Sequence, residues 1–169
     1  MTQNIPLEEL CRDIQMQLPD SLWRLDKLTR YQRGRYTEDF ATFDESYYYI
    51  FGVVEVPLTY TQGETFTWGV WVQVTHDEHD QYLARFQTPK AENCVFTGTL
   101  ANDIPGYPDA LGASVRVQCR ETRRPELTLL SSSLAQAQQK GLDEAAHRRL
   151  DTILFGDDDD EDSRDDLLA

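Results

Sequence analysis

Hydrophobic positions recur along the chain with two different periods, and the changes between them mark out the predicted elements. From Pro6 to Leu18 the apolar residues Leu7, Leu10, Cys11, Ile14 and Leu18 fall at helical spacing, which predicts a first helix closed by Pro19. Residues 1–20 therefore read as an N-terminal helix ahead of a single domain over 21–156. Ser21 to Tyr36 carries Arg24, Lys27, Arg30, Arg33 and Arg35 with no clean period. It reads as a connecting segment with one short helix around Leu22 to Leu28.

The pattern then shortens. Tyr47 to Val56 is aromatic and β-branched on both alternating faces, as a central strand covered on both sides requires. Thr65 to Val74 alternates: Phe66, Trp68, Val70, Val72 and Val74 share one face, and Thr65, Thr67, Gly69, Trp71 and Gln73 the other. Turn residues at Thr61 to Glu64 join the two as an antiparallel hairpin. Thr75 and Glu78 form a capping-box pattern that opens a helix running to about Gln87. Short strands are predicted at Val95 to Leu100, Ser114 to Cys119 and Leu127 to Leu130. Between them, Asn102 to Gly112 holds two prolines and two glycines and reads as an ordered loop. Ser133 caps a predicted helix over Leu134 to Lys140, and a last helix covers Leu142 to Phe155. The fold class is α+β: an antiparallel sheet with flanking helices.

Charge changes the picture at one end. The formal net charge is −14, and half of it lies in residues 157–169, which hold eight acids and one base. This acidic segment has almost no apolar content before Leu167 and Leu168, so it is predicted to be disordered in isolation. The rest of the chain is acidic too, which opposes binding to nucleic acid or an anionic membrane and favours a basic protein partner. No run of 18 apolar residues and no secretory leader pattern is present, so a cytoplasmic location is expected. Oligomeric state is not legible.

Several segments taken together resemble the bacterial family of unknown function numbered 2199: VVEVPL from Val53, FTWGVWVQVT from Phe66, FTGTLANDIPGYPDALG from Phe96, RPELTL from Arg124 and LAQAQQKGL from Leu134. The resemblance implies an α+β fold and assigns no reaction. Many members of that family open with a Cys-x-x-Cys pair suited to zinc. Only Cys11 lies in that region of this chain, so a metal site does not carry over.

No phosphate loop, dinucleotide fingerprint or nucleophile elbow occurs. Cys11, Cys94 and Cys119 are far apart and read as reduced, mostly buried thiols. His76 and His79 lie within HDEHD, where a helix start explains the acids better than a metal does. His147, beside Arg148 and Arg149, is placed on a solvated helix face. Arg116, Arg120, Arg123 and Arg124 make a local basic patch. No catalytic residue, cofactor or metal is expected. The expected function is non-enzymatic binding of a basic protein, as in an immunity (antitoxin-type) protein that caps a bacterial toxin. Trp71, Asn102, Asp103, Tyr107, Asp109 and Arg116 are the expected partner-binding residues. Two other readings remain open: an uncharacterised small-molecule hydrolase working from the Asn102 to Asp109 loop, and a nucleic-acid-mimicking inhibitor.

Overall fold

A computed structural model describes residues 5–156. The acidic segment, and the disorder expected of it, lie outside these residues. The fold is built around two long strands, β4 (Tyr47–Pro57) and β5 (Thr65–Val74), which pair antiparallel from Tyr48 opposite Val74 to Pro57 opposite Thr65. Each is too long to serve one sheet alone. The outer edge of β5 takes β1 (Asp13–Gln15) at Thr67 to Gly69, and then β6 (Val95–Leu100) at Val72 and Gln73. The outer edge of β4 takes β3 (Phe40–Phe43) along its first half, with β2 (Gly34–Tyr36) beyond it, and then β8 (Glu126–Leu129) at Val53. β7 (Ser114–Gln118) pairs antiparallel with both β6 and β8. Strands β4, β5, β6, β7 and β8 thereby close into a five-stranded barrel.

The hairpin, the three later strands and the flanking helices agree with the sequence pattern. The expected antiparallel sheet holds only in part, because β1–β5 and the closing β4–β8 pair are parallel. Closure brings β8 very close to β4: a Cβ on Gly52 would sit 2.8 Å from the Leu127 side chain. On the other side of the barrel, a Cβ on Gly98 would meet Val72 at 2.5 Å. Only glycine fits at these two crossings.

The even-numbered face of the β4–β5 ribbon and the middle of its odd-numbered face are buried, for different reasons. The even-numbered residues Ile50, Val54, Val56, Phe66, Trp68, Val70 and Val72 face the main core with Val115, Val117, Leu127 and Leu129. Helices α3 (His76–Arg85), α4 (Ser133–Lys140) and α5 (Glu144–Phe155) close this core through Tyr82, Leu134, Leu150 and Leu154. The odd-numbered Tyr49, Phe51 and Trp71 face a second, smaller core with Leu18, Leu22 and Ala41. Burying a tryptophan such as Trp71 removes roughly 200 Å² from water, on the order of 5 kcal/mol before ordering costs.

The second core explains the largest departure from the sequence pattern. The helix expected over Pro6 to Leu18 does not form. Leu7–Glu9 is a single 3₁₀ turn, and Asp13–Gln15 is β1. The free edge of β5 offers unpaired amides and carbonyls at Thr67 to Gly69, and residues 13–15 satisfy them. Tertiary pairing outweighs a modest helical stripe in so short a segment. The segment after it is also more ordered than expected, with α1 (Asp20–Trp23) and α2 (Lys27–Arg33) leading into β2.

Asn102 pins this region down. Its Oδ1 accepts the Trp71 backbone N–H at 2.8 Å, and its Nδ2 donates to the Leu18 carbonyl at 2.9 Å and to Asp20 Oδ1 at 3.1 Å. Asp20 Oδ2 accepts the Asp103 amide at 2.8 Å, and the Trp71 indole N–H donates to the Met16 carbonyl at 3.0 Å. Substituting Asn102→Ala leaves a buried amide and a buried carbonyl without partners. The expected loss is about 2–4 kcal/mol, measured by urea unfolding, with amide exchange rising first in residues 13–23. An unchanged unfolding midpoint would show that water replaces the side chain.

Candidate functional site

Titratable side chains converge at three places in the described residues. The first joins the chain's opening to α5. Asp143 starts this helix by accepting the Ala146 amide at 2.8 Å, which sets His147, Leu150, Asp151 and Leu154 inward. His147 is fully buried, contrary to the solvated position expected for it. The residue faces inward because both ring nitrogens find partners there. Nε2 lies 2.7 Å from the Cys11 carbonyl, and a carbonyl only accepts, so Nε2 carries the hydrogen. In the neutral ring Nδ1 then accepts from the Tyr60 hydroxyl at 2.6 Å. Asp151 Oδ1 accepts the Cys11 amide at 3.1 Å.

Cys11, His147 and Asp151 are thus a nucleophile, a base and an acid brought together from distant parts of the chain. Their geometry is that of a latch. The imidazole and the carboxylate hold the Cys11 backbone, while the thiol donates to the Asp13 carbonyl at 3.3 Å. Burial pushes the Cys11 thiol above its ordinary value, with Asp151 and Asp13 adding to the rise. A catalytic thiol needs the opposite shift and a hydrogen bond to its base. The sequence hides this cluster because Cys11 lies more than a hundred residues from His147 and Asp151.

The second place is the Asn102 to Asp109 loop. Asn102 is buried in the pin described above. Tyr107 is buried, edge-on to Trp68 at 6.3 Å, and burial raises its hydroxyl pKa. Asp103 and Asp109 are exposed. Asp109 accepts the amide of Ser133 at 2.9 Å and also its hydroxyl. It therefore caps α4 in place of Ser133, which is itself the first helical residue; the preceding Ser132 makes no side-chain cap bond. Arg116 lies on β7, exposed, opposite Thr97 and Thr128. Trp71 and Asn102 are the only two of the six expected partner-binding residues joined by a hydrogen bond among the described residues. The cleft beside Asn102, about 380 Å³, is lined also by Pro105, Leu154 and Phe155 and reaches neither Tyr107 nor Arg116.

The third place is the start of α3. The capping box at Thr75 and Glu78 is present as expected. His76 Nε2 lies 3.0 Å from Asp80 Oδ2 and its ring stacks on Tyr48 at 4.5 Å. His79 is buried against Phe40 and Tyr48, with Nδ1 3.3 Å from Asp80 Oδ1. Among the described residues, no group of three His, Cys, Asp or Glu side chains is arranged to hold a metal ion.

The thiols and Asp109 generate predictions. Cys94 and Cys119 are buried and lie side by side, since the Cys119 amide donates to the Cys94 carbonyl at 3.0 Å. Burial, reinforced by Cys94, pushes the Cys119 thiol up to about 12. In the native protein a disulfide reagent at pH 8 should therefore titrate Cys11 alone, and slowly, with all three thiols reacting in denaturant. Rapid native reaction of two thiols would contradict this burial. At Asp109 the hydrogen bonds from Ser133 hold the carboxyl below the ordinary carboxylate range. The folded value is depressed, so the stability the cap contributes is present above the unfolded pKa and is lost as pH falls through the folded one. Asp109→Ala should lower the urea midpoint at pH 7, and the gap to the parent protein should close as the pH falls through the folded value, below the ordinary carboxylate range. A gap that persists in acid would assign the effect to something other than the carboxylate.

No helix among the described residues is long and apolar enough to cross a membrane. No curated protein and no solved structure matches the chain. A family model does, over residues 6–142, from the first turn through the barrel to the residue that bridges Leu58. On that match, the chain belongs to the family described as "Uncharacterized protein conserved in bacteria (DUF2199)".

Proposed function

We propose that this chain is a non-enzymatic binding domain for a basic protein, of the kind in which an immunity protein caps a bacterial toxin. Two lines of geometry support the reading. The groups best suited to catalysis are spent on structure: His147 and Asp151 hold a backbone, Asn102 ties β5 to Leu18 and the start of α1, and Asp109 caps another helix. Acidic groups, by contrast, stand out on a built platform, and this is the observation that carries the proposal.

The platform forms where the β3–β4 turn meets α3. Asp44 and Glu45 both adopt left-handed backbone, at φ 56° and 54°. Two consecutive non-glycine residues there cost on the order of 1 kcal/mol each or more, and such strain collects at sites of function. The Tyr48 hydroxyl donates to the Glu45 carbonyl at 2.8 Å and the Tyr48 ring carries His76, so the turn and the first turn of α3 are held together. Glu45 on the turn and Asp77 and Asp80 on the first turns of α3 are exposed, while Tyr47, on the opposite face of β4, packs against Phe43. Exposed carboxylates held on a rigid turn and helix start suit a lysine- or arginine-rich surface.

The test is a capture from native cells at low salt, followed by assay of the captured protein. A stoichiometric cationic partner should elute as salt rises, and its toxic activity should fall to background with an equimolar amount of this chain. The triple substitution E45Q/D77N/D80N should slow association roughly tenfold at low salt and have little effect at high salt. An activity that survives a large excess of this protein would end the proposal.

A further inference from the structure

One segment of this acidic protein is basic. Residues 23–36 hold five bases and one acid; Arg24 and Arg33 pair with Asp20 and Asp44, while Arg30 of α2 lines a cleft of about 560 Å³. Arg30 and Arg124 line the cleft, together with Trp23 and Tyr36, which are 47% and 48% exposed. Arg30 donates from Nε to the Leu22 carbonyl and from Nη2 to those of Trp23 and Leu25. It has no carboxylate partner among the described residues. Arg124 lies over the Phe51 ring at 4.6 Å and donates from Nε to Asp39 at 3.4 Å. Glu38 on the rim is the opposing charge within the cleft.

A second cleft, the one beside Asn102, adjoins it: Gln15, Met16, Gln17, Leu18 and Trp23 line both. The far wall of the second cleft is Leu154 and Phe155, the last turn of α5. The described chain therefore ends beside a cleft that shares the residues 15–18 wall with the cleft of Arg30 and Arg124. Beyond Gly156 it continues into residues 157–169, with eight acids, one base and the apolar pair Leu167 and Leu168.

We propose that residues 157–169 dock in these two clefts of their own chain, their carboxylates on the Arg30 and Arg124 guanidiniums and their leucines against Trp23 and Tyr36. Three observations meet in this assignment: the point of departure at Phe155, the charge complementarity, and the reach. Thirteen extended residues span roughly 40 Å, ample for two adjoining clefts on a domain this size. Asp13 and Asp20, at the entrance, repel the segment. Asp20 is already engaged by Asn102 and the Asp103 amide, and the acids meet the two arginines further in. Tethering supplies an effective concentration of about 1 mM, so a segment that binds as a free peptide with a Kd of about 0.1 mM is roughly 90% docked in the intact chain. The inference does not depend on the basic-partner reading, and either stands if the other fails.

The experiment compares the intact chain with residues 1–156 by nitrogen–proton NMR. Deletion should move the Trp23 indole signal, the Arg30 and Arg124 Nε signals and the amides of residues 15–18, with the rest of the barrel unchanged. A synthetic peptide of residues 157–169 added to the shortened chain should restore the intact positions, and its affinity should weaken roughly fivefold between 50 and 200 mM salt. A variant of the intact chain with Asp157 to Asp160 all changed to Asn leaves the barrel untouched and should move the same signals part of the way. Changes confined to the residues adjoining Gly156, peptide shifts on another face, or no peptide binding up to about 5 mM would overturn the proposal. Shifts that grow with protein concentration would overturn it too, because they would place the segment on a second copy.

Discussion

The structure depends on the pairing of β4 with β5, ten residues on ten, with the even-numbered face of the ribbon and the middle of the odd-numbered face withdrawn from water. A two-stranded ribbon is marginal by itself. It becomes stable only when something covers each face and each outer edge, and the remaining elements can be understood as supplying that cover. Strands β6, β7 and β8 curl round the even-numbered face and close it into a barrel. The segment from Met16 to Leu25, with β3, covers the odd-numbered face. β1 and β3 take the edge positions that the barrel strands leave free.

This dependence explains which parts of the fold were legible in the sequence. The ribbon was, because period-2 alternation with aromatic and β-branched residues on both faces has few other uses. So were α3, with its reciprocal cap, and α4 and α5, with their terminal glycines. The Pro6 to Leu18 segment was not. Its apolar spacing fits a helix, but its conformation is decided by an empty edge on β5 more than fifty residues away. Barrel closure was hidden for the same reason: it rests on the single parallel bridge of Val53 to Glu126.

The candidate sites divide along the same line. Trp71 and Asn102 stood out in the sequence and do meet, at 2.8 Å, but inside the fold. Loop residues rich in Asn, Asp and Tyr carry backbone duties here that composition cannot separate from chemistry. His147 was misplaced because its neighbours Arg148 and Arg149 suggest a polar face, whereas Tyr60 and Cys11, which define its surroundings, come from elsewhere in the chain. The left-handed pair at Asp44 and Glu45 carries only a weak sequence signal, since aspartate tolerates that backbone but glutamate does not favour it.

Closure by β8 also carries a temporal consequence. Val53 waits for a partner 73 residues further along the chain. While the polypeptide is being made, the ribbon forms early and stays open, its even-numbered face bare and the second half of β4's outer edge unpaired. Edges of that kind recruit other strands, and non-local pairings are slow to arrive. The interval between synthesis of β5 and of β8 is therefore when this chain is most prone to aggregate, and it is when a chaperone would have the most to hold.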